Sequence, residues 1–372
     1  MSGIKQRNYG IDLLRITSMF MVVILHVIGQ GGMMSSTSGM TISYEITRFV
    51  WTAAYCAVNC YALISGYVGC NSTFKLSNLI KLWIQVMFTC VTITAIFAIY
   101  NPSTVSFQSW INAFFPVMRK QFWYFTSYFC IFFFTPLMNK IINSVPRSTL
   151  RNSLIVTFIL FSIIQWFAAN DTFNVSYGYS PLWLAVMYLA GGYIKKYDVC
   201  KNISSLKLLV TYGVCVLAGW VEIYIFESFY RSAENFYYGT PVIYYTSPQI
   251  IIAGICLLLL FSRIKMYSWI NKIIKIVAPL TFGVYIIHTH PLIWDNLFKN
   301  AFATYINSSP LLIIVQILGS ALAIFFLCIL IEFIRYNLFK LIKIDKISEK
   351  VAKKISVKYS SINKKIEKIE NS

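Results

Sequence analysis

"DLLRITSMFMVVILHVIGQ", residues 12–30, decides the fold class. It is mostly apolar and has the length of one membrane crossing, about 20 residues per helix. Yet Asp12 and Arg15 stand at its start and His26 lies deep in the apolar run. At about 100° per residue, the steps from Arg15 to His26 make three turns plus about 20°, so the two share one helix face, about 16 Å apart along the axis. Asp12, one turn before Arg15, is placed to pair with it. Ionisable groups at such depth usually face a bundle interior or an aqueous cavity. The plainer alternatives are a snorkelling anchor for Arg15 and an interhelical fastening for His26.

Composition extends the reading to the whole chain. The sequence is 58% hydrophobic and 12% charged, with a mean hydropathy of +0.65. A soluble domain is about 25% charged, so hydrocarbon is the solvent here. Ten apolar runs fall near 11–30, 46–68, 79–100, 123–142, 151–169, 181–196, 206–226, 247–262, 274–296 and 310–337, the sixth and eighth being short. They predict an all-α integral membrane protein of about ten transmembrane helices. The ten-residue alternating segments of a membrane β-barrel are absent from the sequence.

Basic residues set the expected orientation. Connections after spans 2, 4, 6 and 8, counted with the span edges beside them, carry 13 Lys+Arg, and those after spans 1, 3, 5, 7 and 9, counted in the same way, carry 5. The positive-inside rule then places both termini in the cytoplasm of a multi-pass protein of the cell membrane. The net charge of +19 marks the cytoplasmic face and its anionic lipids, so no nucleic-acid partner is implied. Lys5 and Arg7 before an apolar run suggest a signal peptide, but Arg15 inside the run and the lack of a small-x-small site make it a retained helix. The nine cysteines show no ligand spacing and read as buried thiols. Residues 1–340 form one membrane domain. In the remaining 341–372, Ile344, Ile347, Val351 and Ile355 recur among lysines, as in a basic amphipathic cytoplasmic helix on the inner leaflet.

The chain has only three histidines. Besides His26 they are His288 and His290, in "PLTFGVYIIHTHPLIWD", residues 279–295. Counted from the inner boundary, His26 lies about 22 Å deep and His288 about 21 Å deep. Histidine is the side chain whose proton moves near neutral pH, so a cluster at one depth reads as a proton-transfer site. No metal is expected, because His-x-His on a helix sets the two rings about 200° apart and carboxylate partners are scarce.

These residues resemble the acyltransferase-3 family of membrane-bound O-acyltransferases of bacterial envelopes. The resemblance runs over most of the chain: Arg15-x10-His26, "SGY" at 65–67, "FWYFTSYFCIFFFTPLMNKII" at 122–142, "YLAGGYIKKY" at 188–197 and "FGVYIIHTHPLI" at 282–293. The counterpart of an Arg-x-x-Arg after the second span is Asn78 to Lys81, with one basic end. The resemblance implies transfer of an acyl group, usually acetyl from acetyl-CoA, onto a hydroxyl of a surface polysaccharide or lipid-linked glycan. No permanently bound cofactor is implied. Arg15, with Lys75 and Lys81, would meet the phosphates of CoA. His26 would act as general base or carry the acetyl group, with Tyr285 and His288 orienting it or polarising the thioester. Asp12, Trp123 and Tyr124 are the expected substrate-binding residues. Trp123, Tyr124 and Trp183 would stack on sugar rings, unless they only form an interfacial belt. The competing class is a transporter or glycan flippase using the same polar face, which requires paired broken helices in two repeats. A non-catalytic sensor or anchor domain is a third.

Overall fold

In hydrocarbon every backbone N–H and C=O must be satisfied within the segment, and a chain this apolar meets that demand with helices. A computed structural model describes residues 7–37, 39–168, 171–230 and 242–370, and among them there is no β-strand. The helices are α1 (Tyr9–Ile28), α2 (Ile42–Ala54), α3 (Ala57–Gly69), α4 (Leu76–Tyr100), α5 (Phe107–Phe114) and α6 (Trp123–Ser144). Then follow α7 (Arg147–Phe167), continuous through a π-helical stretch, α8 (Pro181–Tyr197), α9 (Ser205–Tyr230) and α10 (Pro248–Ser262). Last come α11 (Ser268–Val277), α12 (Thr281–His288), α13 (Pro310–Leu341) and α14 (Ile344–Glu370). Among the described residues, eight helical segments are long and apolar enough to cross a membrane, with α2–α3 and α11–α12 each counting as one. The expected sixth and eighth spans are the shorter α8 and α10, of 17 and 15 residues.

Local chemistry sets several starts. Asn8 caps α1 by accepting the Ile11 N–H. Three helices open on Ser-Pro, at Ser180-Pro181, Ser247-Pro248 and Ser309-Pro310, where the missing proline N–H costs nothing and its φ is already helical. The expected single span 274–296 is instead interrupted: Pro279 sits in a 3₁₀ turn between α11 and α12, and Thr289 ends α12 just after His288. Pro291 cannot continue the α12 hydrogen-bond ladder, so the chain re-aims there.

Helix α1 is central and packs against α2, α3, α10, α11, α12 and α13. The tightest pair is α3 with α8. A Cβ on Gly66 would lie 1.8 Å from the Tyr188 carbonyl oxygen, and one on Gly191 would lie 2.1 Å from that of Leu63. Glycine is therefore required at both positions for the backbones to meet, the small-residue packing of membrane helices. Asn139 of α6 closes the same corner: its Nδ2 donates to the carbonyls of Gly69 and Ser72, and its Oδ1 accepts from the Tyr188 hydroxyl. The 341–372 tail is helical in α14, which packs on α4. Ile344 is buried, while Ile347, Val351 and Ile355 remain exposed as an apolar stripe.

Candidate active site

The face of α1 bearing Arg15, Met19, Val22 and His26 looks onto α3, α6 and α12. Between these helices lies a narrow cavity. Met19, Val22, Leu25 and His26 form one wall, Val58 and Tyr61 a second, Trp123 and Tyr124 a third, and Phe282 and Tyr285 a fourth, with Tyr245 closing one end. Most of the wall is apolar or aromatic, the usual lining of a small-molecule pocket with a few convergent polar groups.

His26 and His288 meet directly, with His26 Nδ1 2.8 Å from His288 Nε2. The other nitrogen of His288, Nδ1, is 2.6 Å from the Val284 carbonyl oxygen. A carbonyl only accepts, so Nδ1 of His288 carries its proton and, in the neutral ring, Nε2 is the acceptor. His26 must then donate from Nδ1, which leaves the lone pair of a neutral His26 on Nε2. The Trp294 ring stands edge-on to His26 at 4.8 Å and fixes its tilt. Above it, the segment after α1 is tied to the loop after α12: the Asn300 and Phe302 amides donate to the carbonyls of Gln30 and Gly31. Gly32, with φ of +86°, leaves no room for a Cβ beside Asn300.

At the other end of the face, Asp12 accepts from Arg15 Nη1 at 2.9 Å through one oxygen and from Arg7 Nε through the other. The pairing expected from the sequence is present, and it occupies both carboxylate oxygens. Asp12 therefore holds both arginines. Tyr61 donates its hydroxyl to the Arg15 backbone carbonyl at 2.8 Å while its ring lines the cavity.

The structure thus brings His26, His288, Tyr285, Trp123 and Tyr124 together around one cavity, with Arg15 on the same helix face. The Tyr285 oxygen accepts the Tyr124 amide N–H at 3.3 Å, leaving its own O–H to donate. The lysines stand at the start of α4. Lys75 is exposed at the start of α4, and Lys81 pairs with Asp345 of α14 at 2.5 Å. Their helix packs mainly on α5, α12 and α14. Trp183 is not at a sugar-facing boundary: it is fully buried and donates its indole N–H to Asn59. His290 turns away from the pair and caps the short turn Pro291–Ile293 through Nδ1. Sequence reasoning missed Tyr61, Tyr245, Phe282 and Trp294, ordinary aromatics in an aromatic-rich chain that only their convergence distinguishes.

A family model described as an acyltransferase domain matches residues 8–332. Neither a curated protein nor a solved structure matches the chain.

Proposed function

The chain belongs to the acyltransferase-3 family, and from that premise we propose that it transfers an acetyl group from acetyl-CoA across the membrane onto a hydroxyl of a cell-surface polysaccharide or lipid-linked glycan. The observation that carries this reading is the hydrogen-bonded pair of His26 and His288 beside an aromatic-lined cavity.

A sugar hydroxyl is a poor nucleophile near pH 7, and a positioned base contributes about 10²–10⁴-fold. The free Nε2 of His26 takes the hydroxyl proton as the oxygen attacks the thioester carbonyl carbon. His26 then carries a proton on each nitrogen, and its Nδ1–H can pass to His288 Nε2, so the positive charge spreads over two rings and the Val284 carbonyl. The Tyr285 hydroxyl is available to donate to the developing oxyanion. When the tetrahedral intermediate collapses, the C–S bond breaks, the proton returns through His26 Nε2 to the sulfur, and the ester and free CoA leave. Arg15, a bidentate donor on the same face, serves the phosphates of the donor. Trp123 and Tyr124 offer ring faces to the acceptor sugar.

The test is His26→Gln at matched expression, read as acetyl content of the surface glycan by proton NMR. Glutamine keeps hydrogen-bonding capacity but cannot accept a proton at neutral pH, so acetylation is expected to fall at least 100-fold. Near-wild-type acetylation by that variant would remove the general-base role.

A further inference from the structure

At the N-terminal end of α1, away from His26, lies a second cleft of about 440 Å³ between the α1 N-terminus and the α10–α11 connection. Its lining includes Arg7, Arg263, Lys265, Tyr9 and Asn271, and no carboxylate. Glycine makes the junction possible: a Cβ on Gly10 would stand 1.9 Å from the Phe261 carbonyl oxygen. Asn8 then ties the two segments, donating from Nδ2 to the Ser262 carbonyl at 2.9 Å.

We propose that this cleft binds the 3′-phosphorylated adenosine end of the acyl-CoA donor, an inference that rests on the acetyl-CoA reading above. Three observations lead to it. The first is proximity: Arg7 in the cleft and Arg15 on the face that bears His26 are bridged by one carboxylate, Asp12.

The second is length. Arg15 and His26 are about 16 Å apart along the axis. From the pyrophosphate oxygen to the thioester carbon, pantetheine is a chain of about thirteen bonds, and at the reach of three backbone-like bonds per residue it extends about 15 Å. A pyrophosphate at Arg15 therefore puts the thioester at His26, and the nucleotide must lie on the opposite side of Arg15. Asn8, at the edge of the cleft, is about 10 Å from Arg15 in that direction.

The third is chemistry. Lys265 is exposed with no ion pair or hydrogen bond among the described residues, a free point charge suited to a terminal phosphate. Arg263 is steadied by donating to the carbonyls of Cys200 and Ile203, and Arg7 lies over the Tyr9 ring at 5.6 Å, leaving an aromatic and cationic platform for a base. The Oδ1 of Asn271 is buried with no hydrogen-bond partner, and the exocyclic amino group of adenine is a donor of the kind it lacks.

The test compares CoA with 3′-dephospho-CoA, which differ only in the terminal phosphate. Dissociation constants are measured on full-length protein in phosphatidylcholine nanodiscs for wild type and Lys265→Ala. Wild type is expected to prefer CoA by on the order of tenfold. In Lys265→Ala that preference should collapse to near unity, with 3′-dephospho-CoA binding unchanged. A wild-type preference that Lys265→Ala retains, or equal binding of the two ligands by wild type, overturns the site and leaves the acetyl-CoA reading standing. Failure of wild type to bind either ligand overturns that reading and the site with it. Loss of the preference when phosphatidylglycerol is added to the nanodiscs would assign the cleft to a lipid phosphate instead, overturning the nucleotide assignment.

Discussion

At the scale of single residues, the chemistry of His26 depends on a proton that a backbone carbonyl controls. Val284 accepts from His288, which makes His288 an acceptor toward His26 and leaves the outward lone pair of His26 on Nε2. His288 is thus a positioning residue, and its variants should separate orientation from binding. His288→Ala is expected to lower kcat about 100-fold, the scale of a small misplacement of a catalytic group, with the KM for donor little changed. His288→Gln, whose side-chain oxygen can accept from His26 Nδ1, should recover part of that loss. Equal activity of the two variants would mean that the hydrogen bond does not orient His26. Arg15 makes a different prediction. Arg15→Ala should weaken acetyl-CoA binding on the order of tenfold or more in protein that remains inserted, and Arg15→Lys should restore only part, because an ammonium replaces a fork. Unchanged affinity in Arg15→Ala would reduce the residue to an anchor.

At the scale of elements, several motifs that carry the family resemblance hold the bundle rather than the substrate. Gly66 of "SGY" and Gly191 of "YLAGGYIKKY" let α3 and α8 touch backbone to backbone, and Asn139 of the aromatic helix caps the end of α3. Tyr61, which meets both Arg15 and the cavity, stands on α3, so this junction sets the site from behind. Gly66→Ala drives a methyl group into the Tyr188 carbonyl and should cost about 1–3 kcal/mol, as overpacking does, seen as a lower Tm in detergent. A fully buried pair forms another junction: Arg48 Nη2 lies 2.7 Å from Glu227 Oε1, which also accepts from the Tyr44 hydroxyl. Removing one partner strands a buried charge, at roughly 3–5 kcal/mol. Arg48→Met and Glu227→Leu should each lower Tm, and the double variant should recover much of the loss. Additive losses would argue that the two charges do not interact across the α2–α9 contact.

At the scale of the whole molecule, the two ends of α1 differ in character: a cation-lined cleft at one end, and a cavity with the paired histidines at the other. A cytosolic polyanionic donor and an external sugar would meet along that axis. The arrangement depends on orientation, which the 13-to-5 bias of basic residues between alternate connections argues for. Reporter fusions after Ser176 and after Asn202 should therefore give external and cytoplasmic signals respectively. A shared compartment for the two would remove the topology on which donor and acceptor access rests. The α14 helix fits the same orientation. With both ends inside, the exposed Ile347, Val351 and Ile355 would lie against the anionic inner leaflet.

The sequence by itself determined the solvent, the helical class and the axis of the site. Those features are one-dimensional: apolar run length follows from bilayer thickness, and the shared face of Arg15 and His26 follows from helix pitch. The Asp12–Arg15 pair was legible for the same reason, lying within one turn. Only the tertiary structure decided the partners. Sequence order gives depth along each helix but not the neighbours around it, so the shared depth of His26 and His288 was legible while their contact was not. The same limit hid the partner of Lys81, which packing of α14 on α4 supplies as Asp345. It also hid the breaks flanking α12, where two prolines and the close approach of Gln30 and Gly31 to the following loop turn His290 away from the pair. Which aromatic rings wall the cavity was decided last of all, because dispersion and ring geometry act between residues far apart in sequence, and one Tyr or Phe in such a chain reads like the next.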